Sequence, residues 1–187
     1  MNSREIATLS VFAALTVALN LSPFKFPFPY LPFLYYQVWE IPIITAFALY
    51  GLVMAVAISI INTITLLALF PGALPTGPLY NLAAILGTLL GVHVAYILFE
   101  RLSLKRNVTL GVLATGFGVL FRVIVMLLVN WTFIRYPPPI GFGLTNEEIL
   151  IILPFVAFFN ATLALYTIPA GYMLARAISS RIKLWSP

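Results

Sequence analysis

The chain has 187 residues, 62% of them apolar and only 8% charged, with a net charge of +5. A soluble domain carries about 25% charged residues, so these few charges cannot build a water-facing surface and lipid must cover most of the outside. There is no Asp, no Cys and a single His, which excludes paired-Asp metal or phosphotransfer sites, Asp-dependent triads, disulfides, thiolate nucleophiles and His clusters. No catalytic residue and no metal ligand is assigned.

Arg4 and Glu5 lead directly into Ile6–Leu21 with no small-residue cleavage pattern, so the first apolar run is read as a span and not as a cleaved signal. Six spans are predicted, at about 5–21, 39–50, 52–70, 79–99, 108–133 and 148–177. Residues 41–70 contain no charge. As one helix they would run about 45 Å, well beyond a hydrocarbon core of about 30 Å, so a break is placed at Tyr50-Gly51. Six spans put Arg4, Arg101, Lys105, Arg106, Arg176, Arg181 and Lys183 on one side, with only Lys25 and Arg135 on the other. That asymmetry predicts cytoplasmic termini, so the positive charge is read as membrane topology and not as a nucleic-acid surface. The fold expected is all-α: a single-domain bundle of six transmembrane helices spanning 1–187, whose short second span is buried among its neighbours or lies at an angle.

Lipid tails do not drive helices together, so association relies on close approach of small residues. Ala83, Gly87, Gly91 and Ala95 form such a stripe in the fourth span, Gly111, Thr115 and Gly118 in the fifth, and Ala157, Ala161, Ala164 and Gly171 in the sixth. Ser10, Ala14 and Ala18 form one in the first.

Residues 22–38 carry seven aromatics and four prolines and run into Trp39. Proline blocks helix and stiffens the segment. Two readings follow: an interfacial aromatic belt, or a rigid lid over a flat ligand, with the excess of Phe over Trp favouring the lid. Beneath it, Asn81, Asn130 and Asn160 approach the outer half of the bundle, with Trp131 beside Asn130. Amides in apolar surroundings need partners; they join helices or, offering donor and acceptor together, line a pocket for a heterocycle. Asn62 is read as a helix bridge.

Arg122 lies deep in the fifth span, where a charge costs about 2.5–3.5 kcal/mol. With Glu40 placed at the outer boundary of the second span, Arg122 is expected to be satisfied by carbonyls, waters or a partner. His93 is read as a packed neutral core residue, and Glu147 and Glu148 after Thr145 as helix N-terminal chemistry.

The chain resembles the substrate-binding S component of an energy-coupling factor (ECF) vitamin transporter over nearly its whole length. Within that family it is most similar to the riboflavin-specific RibU-like group, through Gly77-Pro78-Leu79-Tyr80-Asn81-Leu82-Ala83, the run Phe121–Asn130 and the run Leu153–Asn160. The resemblance implies a non-enzymatic subunit of a prokaryotic cell membrane. It would capture a vitamin from outside and work with a T component and two ABC-type ATPases; the chain itself has no GxxxxGK[ST] loop. No cofactor is expected, with riboflavin the transported ligand. Ala14-Leu15-Thr16-Val17-Ala18 matches the AxxxA motif by which the first helix docks onto the T component, so Ser10, Ala14 and Ala18 are the expected docking face. Asn130 and Asn160 match positions that contact the isoalloxazine ring, and Tyr36, Trp39, Tyr80, Asn81 and Trp131 complete the expected site. Where the family commonly has a Lys three residues after the second Asn, this chain has Leu163, which leaves other vitamins such as thiamine, biotin or pantothenate open. A membrane scaffold without a ligand is the reading from a different class.

Overall fold

A computed structural model of the chain describes residues 3–69, 74–102 and 107–181. Long apolar runs form helices, with Pro23 after the first, Gly51 between the second and third and Gly77-Pro78 opening the fourth: α1 (Ser3–Leu21), α2 (Glu40–Tyr50), α3 (Leu52–Leu69), α4 (Gly77–Arg101), α5 (Asn107–Phe133) and α6 (Asn146–Arg181). All but α2 are long and apolar enough to cross a membrane. The uncharged stretch does break at Gly51, whose φ of 86° is a left-handed conformation open to glycine.

α2 has 11 residues and so runs only about 17 Å. It is buried on nearly every side, with Ile43, Ile44 and Ala46 fully covered, as the short span requires. Gly171 of α6 makes this possible, because a Cβ there would collide with Ile44. The main core gathers α2 with Ala13 of α1, Ile58 of α3, Leu89 and Val92 of α4, Ala114 of α5 and Ile168 of α6.

The all-α expectation describes the bundle, with one addition that the sequence did not suggest. Within the proline-rich segment, β1 (Phe26–Phe28) pairs antiparallel with β2 (Leu31–Tyr36), with Phe26 opposite Tyr36 and an irregularity after Pro27. Proline removes ladder donors, but a two-stranded ribbon whose side chains pack on a helix tolerates it. Phe28 is buried against Phe158 and Phe159 of α6, and the rings of Tyr30 and Phe155 stack at 5.0 Å. The aromatics therefore bind the hairpin to α6, while Phe24 and Phe26 face outward.

The small-residue stripes divide. Gly87 and Gly91 of α4 lie against α5, where a Cβ on Gly91 would fall on the Phe117 carbonyl. In α5, Gly118 sits under Ile168 and Val92, but Gly111 faces open space, so that stripe does not act as one seam. Ser10, Ala14 and Ala18 are exposed and border a shallow groove between α1 and α3 with Leu9, Val17 and Ile61. The bridging role of Asn62 is as expected: it is buried and accepts from Asn20 of α1 at 3.5 Å. His93 is half-buried, edge-on to Phe47. Thr145 and Glu148 form a reciprocal capping box at the start of α6, with Thr145 N–H donating to Glu148 at 2.8 Å and Glu148 N–H donating back to Thr145 Oγ1 at 3.3 Å. Lys105, Arg106 and Lys183 lie outside the described residues.

This packing sets two glycines apart. Gly91→Ala should lower stability by about 1–3 kcal/mol, since the backbone of α5 has to move. Gly116→Ala, where a Cβ meets nothing within 4 Å, should be neutral or stabilising by about 0.5–1 kcal/mol. Thermal unfolding in detergent compares them, and equal losses would refute close α4–α5 approach as the reason for Gly91.

Candidate functional site

At the hairpin end of the bundle a cavity of about 170 Å³ lies between α2, α4, α5, α6, the hairpin and residues 134–145. Its floor is a network of charge-assisted bonds. Arg122 of α5 donates from Nη1 to Glu40 Oε2 at 2.8 Å and from Nη2 to Glu40 Oε1 at 2.9 Å. Its Nε donates to Asn160 Oδ1 at 2.9 Å, and Nη1 also reaches Thr88 Oγ1 of α4 at 3.3 Å. Thr167 of α6 donates to Glu40 at 3.4 Å. Both charged side chains are all but inaccessible, at 4% and 2% exposure.

The expectation that Arg122 relies on carbonyls, waters or a partner is therefore wrong. Its partner is Glu40, and the error lay in depth. Glu40 opens a short helix that is itself packed inside the bundle, and it is all but fully buried there. The long Arg side chain covers the remaining distance. The fork-on-carboxylate geometry is the strong form of such a pair.

The walls bring together most of the expected residues. Trp39, Tyr80, Asn81, Asn130 and Asn160 all line the cavity. Asn130 donates from Nδ2 to Met126 O at 2.8 Å, and Asn160 donates to Val156 O at 2.9 Å, so each amide is held by its own helix. Tyr80 donates from its hydroxyl to Ile140 O at 2.9 Å, and Thr76 donates to Pro139 O at 2.6 Å, which fastens residues 134–145 to the start of α4.

Tyr36 and Trp131 are not on the wall. The Tyr36 hydroxyl pairs with Thr162 Oγ1 at 2.7 Å, and its ring lies against Phe159, so it anchors the hairpin to α6 from behind. Trp131 faces outward from α5, with the Arg135 guanidinium 5.2 Å from its ring centroid. One residue of helix phase separates it from Asn130, about 100° of rotation, and that turns it away.

Lining residues outside the expected site include Glu40 and Arg122 in the floor and Met126, Phe142 and Phe159, together with Phe33, Leu34, Tyr35 and Gln37 of the segment read as a lid and Leu163. Gln37 Oε1 is buried with no hydrogen-bond partner among the described residues. The roof closes where Phe33 of the hairpin meets Phe142, with ring centroids 5.0 Å apart. Of residues 22–38, Phe33, Leu34, Tyr35 and Gln37 border the cavity, while Phe24, Phe26 and Tyr30 are exposed.

No protein-family profile and no curated protein sequence matches the chain. A solved structure described as the S component of a bacterial ECF transporter shares its fold, with a TM-score of 0.76 at 20% identity, covering 98% of this chain and 99% of that one.

Breaking the floor should be costly. Arg122→Met strands the Glu40 carboxylate and should destabilise the protein by about 3–5 kcal/mol. Replacing both partners by apolar residues (Arg122→Met with Glu40→Leu) should recover much of that loss. Unfolding in mild detergent measures both, and a double variant as unstable as the single one would refute the pair as the source.

Proposed function

We propose that the chain is the substrate-binding S component of an ECF-type importer, capturing a vitamin, riboflavin first among the candidates, from outside the cell. It would deliver its cargo with a separate T component and two ABC-type ATPases. The observation that carries the reading is the cavity: a partly covered space at one end of a membrane bundle, walled by four side-chain amides and a set of aromatics, under a roof made of two separate segments. Aromatic faces suit a flat ring, and Asn side chains suit its imide edge. The shared fold supports the same assignment.

Orientation follows from charge. Six spans with cytoplasmic termini would place Arg4, Arg101, Arg176 and Arg181 inside and leave Lys25 and Arg135 with the cavity outside. Docking would use α1, where Ser10, Ala14 and Ala18 are exposed and not packed inside the chain.

One observation favours a second reading within the same class. The cavity of about 170 Å³ is smaller than the roughly 300 Å³ at which small-molecule sites begin. A whole flavin would require Phe33 and Phe142 to part, whereas a smaller vitamin would need less room.

Asn130→Leu is the cleanest probe of the pocket, because among the described residues its side chain bonds only its own helix carbonyl. Asn160 would also strip Arg122 of a partner. Riboflavin affinity, read by quenching of the cavity residue Trp39, should fall by about 1–3 kcal/mol, or roughly five- to 150-fold. An unchanged affinity in the folded variant removes Asn130 from the site; no flavin binding by the wild type moves the cargo to the smaller class. Separately, Ala14→Trp should retain ligand binding yet fail to co-purify with the T component, and normal co-purification would exclude α1 as the docking face.

A further inference from the structure

The cavity wall contains two formal charges, Arg122 and Glu40, and they cancel. The rest of the lining is amide, phenol, indole, thioether and hydrocarbon. Resting on the reading of this cavity as a cargo site, we propose that Glu40 sets its charge selectivity. By occupying Arg122, Glu40 makes the site one for uncharged ligands and closes it to carboxylates and phosphates.

Three features carry the inference. First, four of the guanidinium's five N–H groups are taken. The two terminal nitrogens face the two carboxylate oxygens, Nη1 also reaches Thr88, and Nε is taken by Asn160. A ligand anion finds no bidentate edge, which is the geometry that makes Arg an anion receptor. Second, an anion in the cavity would meet Arg122 and Glu40 together. Attraction and repulsion nearly offset, leaving the loss of its hydration uncompensated. Third, Gln37 Oε1 is a buried acceptor without a partner among the described residues. A ligand N–H or O–H would satisfy it. An uncharged donor-bearing heterocycle meets all three conditions. The same device has a consequence for variants: without Glu40, Arg122 becomes a buried, unpaired cation next to a cavity, and the site turns into an anion receptor.

Acetate is the chemical probe, since it replaces the carboxymethyl piece that Glu40→Ala removes. Acetamide is its uncharged counterpart, and chloride controls for ionic strength. In the wild type, acetate should leave the thermal midpoint where chloride leaves it. In Glu40→Ala the midpoint should fall, and acetate at about ten times its dissociation constant should raise it by on the order of 3–6 °C, with no rise from acetamide. The double variant Glu40→Leu/Arg122→Met should ignore acetate. A variant that merely repacks would respond to neither probe or to both. If Glu40→Ala does not yield folded protein, Glu40→Gln carries the test, with acetate changing Trp39 emission in the variant and not in the wild type. The proposal is overturned if acetate stabilises the wild type as it does the variant, or if the variant does not distinguish acetate from acetamide. These readouts need no vitamin. Acetate binding by a wild type that also binds riboflavin removes the charge rule and leaves the importer reading. The expected acetate pattern in a chain that ignores riboflavin does the reverse.

Discussion

The buried pair of Arg122 and Glu40 is the constraint on which the rest of the bundle is arranged. In lipid, apolar side chains gain little by meeting one another rather than acyl chains, so hydrophobicity alone does not say which helix neighbours which. A guanidinium and a carboxylate inside the bundle do say so, because either one alone is costly there. The pair joins α5 to α2, and the side bonds to Thr88, Asn160 and Thr167 bring in α4 and α6. Four helices thus converge on one guanidinium. A rotation of any of them by one residue would strand a charge or an amide, so the network fixes phase as well as proximity.

The cavity is a consequence of that arrangement. Because α2 is about 17 Å long and begins at Glu40, the space above its first turn is left for something other than helix. The hairpin takes it, and its aromatics seal it against α6. What remains open lies between the charged floor and the roof, where Asn130, Asn160 and Gln37 present polar atoms to an apolar enclosure. A short helix, costly as a membrane span, is what leaves room for the cavity.

Much of this was legible in the sequence, and the rest failed for identifiable reasons. Helix existence follows from apolar length, and the break at Gly51 follows from bilayer thickness, because both are one-dimensional properties. Five of the seven expected residues line the cavity; for Asn81, Asn130 and Asn160 the reason is that Asn is expensive in lipid and marks an interior face, whereas Trp39 and Tyr80 carry no such signal. The same holds for Trp131 and Tyr36, since aromatics are at home on a membrane surface and their presence near a site says nothing of direction. The pairing of Glu40 with Arg122 links residues 82 positions apart and depends on how deep α2 starts, which hydropathy does not encode. The hairpin was hidden because four prolines argue against any regular structure, and its stability comes from rings on α6 and not from strand propensity.

The floor and the roof are built with different strengths, and this separates selectivity from access. The floor is an ion pair with its amide and hydroxyl partners, held rigid by four helices. The two halves of the roof are anchored to different helices, the hairpin to α6 through Tyr36, Tyr30 and Phe28, and residues 134–145 to α4 through Thr76 and Tyr80. Between the halves stands the contact of Phe33 with Phe142, an aromatic pair of the kind that contributes about 0.5–1.5 kcal/mol beyond its buried area. Parting those rings would widen the mouth without breaking a bond of the floor, because none of the floor's hydrogen bonds involves Phe33 or Phe142.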